Sequence, residues 1–158
     1  MSRLADPSGA AAIGWLSHLP EAEAETVVFL RLWCDGEIGQ AEVRAAFEQR
    51  FGGSLASQMA QDLHDLVSLL TRHARRPLCR HEVTSPCVAM DECALARFIG
   101  IAARGDHEDA LMFAMLLVRP DIAPGLTTLA QQVGVALHQL SLSPLLAQAD
   151  RGTHQPLH

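Results

Sequence analysis

Residues 55–74 read LASQMAQDLHDLVSLLTRHA. Leu55, Met59, Leu63, Leu66, Val67 and Leu70 recur every three or four positions, with polar side chains between them. This is the period of an α-helix with one apolar stripe, and it lacks the strict alternation of a half-buried strand. Ser54 stands where an N-cap belongs, behind Gly52-Gly53. Arg72, His73, Arg75 and Arg76 gather at the other end, where the macrodipole favours cations, and Pro77 closes the helix.

The same punctuation repeats on both sides. Upstream, Ser8 can cap a short first helix reaching about His18, and Pro20 suits the first turn of a second that Asp35-Gly36 stops. A third helix spans about Gln40 to Phe51, with Val43, Phe47 and Phe51 on one face. Downstream, residues 77–90 read as irregular, and a fifth helix reaches Arg104 before Gly105. Asp106 opens a sixth, Leu111 to Val118, which is apolar on almost every face and so is expected at the centre of the domain. Thr127 or Thr128 opens a last helix ending near Ser141. The reading is an all-α single domain of six or seven helices, orthogonal or bundle-like, without a sheet. Residues 1–142 form the domain, and 143–158, with Pro144, Gly152 and Pro156, a loosely ordered C-terminal tail. Leu63, Leu66, Leu70, Phe98, Leu111, Met115 and Leu116 are the expected core.

A chain of 158 residues with 49% apolar side chains buries a core without staples. Its net charge of −6 argues against broad nucleic-acid binding. All 12 basic residues are Arg, and Lys, Asn and Tyr do not occur, which points to a GC-rich bacterial genome rather than selection for guanidinium geometry. The first residues make a poor signal peptide. The densest apolar run, within Ala110–Val118, is far short of the roughly 18–20 residues of a membrane span. The expected location is therefore cytoplasmic, where four Cys read as thiols or metal ligands rather than disulfides.

Three of the four Cys fall in Cys79-Arg80-His81-Glu82-Val83-Thr84-Ser85-Pro86-Cys87-Val88-Ala89-Met90-Asp91-Glu92-Cys93. Cys79, His81, Cys87 and Cys93 supply three thiols and an imidazole, a full tetrahedral set for structural zinc. The spacing of Cys79, Cys87 and Cys93 also resembles the cluster-binding loop of winged-helix iron–sulfur regulators. That resemblance covers about fifteen residues, lacks the N-terminal winged helix, and implies those three thiols as ligands of an iron–sulfur cluster. Convergence depends on the local fold. If Ser85 capped a helix, Cys87 and Cys93 would lie about 600° apart around it and face different sides. If Asp91 is the cap, Cys87 sits in a loop and Cys93 in the first turn, where the helix terminus lowers its thiol pKa. The alternative is a set of small buried thiols beneath a loop, with His81 exposed.

Other candidates read more plainly. Cys34 looks like a packed core thiol, and Asp91-Glu92 like helix-capping acids. His64, His107 and Asp91 have catalytic chemistry but no motif. The Arg72–Arg80 cluster suits an anion or RNA, but few aromatics are available for stacking. Thr128–Leu140 is similar to a bacterial helix-turn-helix, but Ala136–Leu146 carries no Arg or Lys to meet phosphates. The functional expectation is a small accessory or regulatory protein with a zinc site, not an enzyme, working with a protein partner or as a homo-oligomer. A metal-free helical interaction module or homodimer is the alternative, and an enzyme with an unrecognised site is the third.

Overall fold

The computed structural model of the protein describes residues 12–152, with side chains as far as residue 140. Six α-helices follow one another: α1 (Glu21–Cys34), α2 (Glu37–Phe51), α3 (Gly53–His73), α4 (Met90–Ala103), α5 (His107–Leu117) and α6 (Ala123–Gly152). The fold is all-α, with one small addition. Strand β1 (Ala12–Trp15) pairs antiparallel with β2 (Cys87–Ala89), and a 3₁₀ turn over Leu16–His18 leads into α1.

That two-stranded ribbon corrects two expectations. No first helix runs to His18, although Ser8, its expected cap, lies outside the described residues. Ile13 and Trp15 suit a strand, and Gly14 between them weakens a helix. The Leu16 N–H then donates to Pro86 O, extending the pairing past the ladder.

The helical stripe of α3 forms as read. Leu63, Leu66 and Leu70 are buried with Phe98 in one core, joined by Trp33, Val43, Phe47, Leu126 and Leu137. Gly52, at φ +69°, ends α2 and begins α3 in a single residue. A left-handed backbone of this kind excludes most side chains, so the tight corner needs glycine, and Ser54 falls inside the helix rather than capping it.

The sixth expected helix lies elsewhere than foreseen. α5 is peripheral and packs through Ala110 and Ala114. Two positions on, about 200° around the helix, Met112 and Leu116 stand 64% and 75% exposed. Leu116 is therefore not a core residue, and Leu111 and Met115 are half-buried at its edge. Small residues let α5 approach closely on one face, so its bulk points outward.

The central element is α6, which packs against α1, α3, α4 and α5. It begins at Ala123, with Pro124 in its first turn. It continues to Gly152, past the end expected near Ser141; the side chains of the tail expected at 143–158 lie outside the described residues. Gly134 lets α6 cross α4: a Cβ there would meet Ala103 Cβ at 2.7 Å and Ile99 O at 2.8 Å. Among the described residues no helix is long and apolar enough to cross a membrane.

Candidate binding cavity

Two adjacent acids at the start of α4 organise the site. Ala89 is extended at the N-cap, and the Glu92 carboxylate accepts its N–H at 3.0 Å. Glu92 therefore does cap the helix, as its sequence suggests, while Asp91 does not, the N-cap being Ala89. Glu92 also receives Arg31 of α1 in a two-point pair, Nε to Oε2 at 2.5 Å and Nη2 to Oε1 at 2.9 Å. Arg31 is 1% exposed and completes its donors on Ser85 O (2.9 Å) and Cys87 O (2.7 Å). Asp91, next along the helix, takes Arg76 through both oxygens at 2.5 and 2.9 Å and the Cys79 N–H at 2.8 Å. Charge-assisted, two-point bonds of this kind fix geometry as well as energy. Together they tie the irregular segment 74–86 to α1, β2 and α4.

This segment closes over a cavity of about 450 Å³. Val27 and Leu30 from α1, Val67 and Leu70 from α3, Leu78, and Leu95 from α4 supply apolar wall. Arg31, Arg76, Asp91 and Glu92 contribute the two ion pairs. The exposed lining residues Cys34, Thr71, Arg75, Pro77 and Arg80 mark the mouth. Arg75 donates from Nε and Nη2 to Met115 O near the end of α5. Arg80 donates to Cys34 O at the end of α1. Both are thus held at helix C-termini by carbonyls, and among the described residues neither has a carboxylate partner. Four guanidiniums and two carboxylates line the cavity, an excess of two positive charges in a chain whose net charge is −6.

The four residues read as zinc ligands are distributed around the start of α4. Cys87 lies on β2 rather than in a loop, and Cys93 in the first turn of α4, whose N-cap is Ala89 rather than Asp91. Cys79, however, faces Asp91 and lines the cavity. Cys93, about 200° further round α4, packs with Leu16, Leu19, Val27, Val88 and Ala96. Cys79 and Cys93 therefore occupy opposite sides of the helix start. His81 is half-buried, and its Nε2 is buried without a hydrogen-bond partner among the described residues. No three His, Cys, Asp or Glu side chains among the described residues are grouped as a metal ion would need.

The pKa expected of Cys93 is reversed. Partial burial pushes its thiol up, Glu23 and Glu92 push it further, and Arg97 opposes them. Cys34 is exposed at the cavity mouth rather than packed in the core. Of His64, His107 and Asp91, only Asp91 lines the cavity. His64 is exposed, edge-on to Trp33 at 6.4 Å, and Asp91 is already paired. Thr128–Leu140 lies within the unbroken α6, so no helix-turn-helix forms there.

Arg31 was not legible as a site residue. Its one signal is a charge inside the apolar run VVFLRLW at 27–33, a pattern that asks for a buried partner. Comparison with protein-family models, with curated proteins and with solved structures finds no match to this chain.

Proposed function

We propose that this chain is a small helical binding protein of accessory or regulatory type, taking a largely apolar small molecule into the cavity between α1, α3 and α4. The observation that carries this reading is the cavity itself. Its volume falls in the range of small-molecule sites, more of its lining surface is apolar than polar, and its charged groups are fixed in place by hydrogen bonds. The two ion pairs on Asp91 and Glu92 supply a rigid wall, because their donors and acceptors satisfy one another.

The test is titration of isotopically labelled protein with amphiphiles of one chain length, 1-decanol and decanoate, followed by amide NMR. Saturable shifts confined to cavity residues such as Leu30, Leu70 and Leu95, and lost in Val67→Trp, are expected. Absence of saturable shifts with both probes overturns the reading.

A second reading retains zinc on Cys79, His81, Cys87 and Cys93. It is favoured by the orphaned Nε2 of His81 and by the clustering of these ligands in fifteen residues. Binding would require segment 77–86 to bring Cys79 and Cys93 to one side of α4. Elemental analysis of untagged protein checks it: about one zinc per chain supports it, and less than about a tenth of an equivalent of any transition metal rejects it. A protein partner or second copy belongs to both readings, and light scattering on the purified chain reports the oligomeric state.

A further inference from the structure

We propose that the occupant of this cavity is an amphiphilic organic acid, an apolar body ending in an oxyanion, and that Arg75 and Arg80 read the oxyanion at the mouth. The inference rests on the cavity reading above and specifies its ligand class.

Charge placement carries the argument. A chain with more acidic than basic residues would present a neutral or acidic opening if its charges were scattered evenly. Instead the opening has two guanidiniums with no carboxylate partner among the described residues, while the carboxylates that line the cavity are already committed deeper in. Arg31 and Arg76 cannot take this role, because Glu92 and Asp91 occupy them in two-point pairs. Arg75 and Arg80 are different. Their contacts are backbone carbonyls, which hold each guanidinium in position and leave N–H donors and most of the charge available.

The basic surface continues beyond the mouth. Arg72, Arg75 and Arg119 line an adjoining depression that shares Arg75 with the cavity, Arg119 there lying 3.5 Å from the exposed carboxylate of Asp121. An approaching anion therefore meets positive potential before it reaches the opening, which speeds capture. An apolar body would pass inward against Leu30, Leu70 and Leu95, and its oxyanion would stop at the rim. A cationic amphiphile would have its charge placed against like charge at the same point, so the site selects by sign as well as by shape.

The experiment compares four probes of one chain length on the full chain by calorimetry at low salt: decanoate, decyl phosphate, 1-decanol and decyltrimethylammonium. At least one of the two oxyanions should bind about tenfold or more tighter than 1-decanol, and the cation more weakly than 1-decanol. The preferred oxyanion names the head group. Arg80→Gln should lower affinity for that oxyanion about tenfold, leave 1-decanol unchanged and reduce the salt dependence. Arg80 is exposed and makes one backbone contact, so this variant keeps the fold. Arg75→Gln should act in the same direction. Equal affinity for the oxyanions and 1-decanol overturns the inference while leaving the cavity reading intact. Tighter oxyanion binding that neither Arg75→Gln nor Arg80→Gln weakens also overturns it. Failure of every probe removes the cavity reading as well.

Discussion

Replacing Glu92 with Gln keeps the shape of the side chain and removes only its charge. In the native protein Arg31 is 1% exposed and, among the described residues, its charge has one carboxylate partner, Glu92. The variant leaves a buried guanidinium bonded to the carbonyls of Ser85 and Cys87 without a counter-charge among the described residues. Breaking one side of a buried pair in this way costs about 3–5 kcal/mol. For a chain of this size each kcal/mol lowers the thermal midpoint by about 2–4 °C, so the midpoint should fall by about 6–20 °C. Urea unfolding followed by circular dichroism gives the free energy directly, and a thermal scan gives the midpoint. The internal control is Arg97→Gln. Arg97 is 66% exposed and its nitrogen lies 3.8 Å from Glu23, so its loss should stay within about 0.5 kcal/mol. A cost below about 1 kcal/mol for Glu92→Gln would refute the view that this pair holds the site together.

Three further outcomes are expected. Leu66→Ala, at a fully buried position, should cost about 2–5 kcal/mol, whereas Leu116→Ala should cost no more than about 0.5, both read from urea midpoints. Gly134→Ala forces a Cβ against Ala103 and Ile99 at the α4–α6 crossing and should cost about 1–3 kcal/mol; an unchanged midpoint would mean the helices can separate freely. Because burial, Glu23 and Glu92 raise the Cys93 thiol above its ordinary 9.0, iodoacetamide should label it more slowly at pH 8 than free cysteine, as followed by mass spectrometry. The fold favours the protonated thiol, so the associated stability is complete below pH 9.0 and declines as pH rises through the higher folded value.

The helices were legible because their signals are local. The stripe from Leu55 to Leu70 and the stops at Gly36, Gly52 and Gly105 depend only on residues a few positions apart. What failed depends on distant partners. Ala12–Trp15 becomes a strand only because Cys87–Ala89 lies beside it. The apolar excess of α5 looked central, but side-chain hydrophobicity does not say which face a neighbour will cover, and the close approach of Ala110 and Ala114 decided that. Glu92 was legible as a capping acid, whereas Asp91 beside it caps nothing and instead takes Arg76 and the Cys79 N–H. Their partners Arg31 and Arg76 come from other elements, so the pairing, and the cavity it closes, emerge only in three dimensions.

The buried Arg31 also bears on how the chain is made. Synthesis delivers α1 to solvent well before Glu92 leaves the ribosome. Until then VVFLRLW carries a full charge in the middle of its apolar face, and burying that face early would strand the charge. The partners of that charge, the Glu92 carboxylate and the Cys87 carbonyl, both come from the start of α4 and the strand before it. Since α6 packs against all five other helices and follows them in sequence, the core of this domain closes only once α6 is in place.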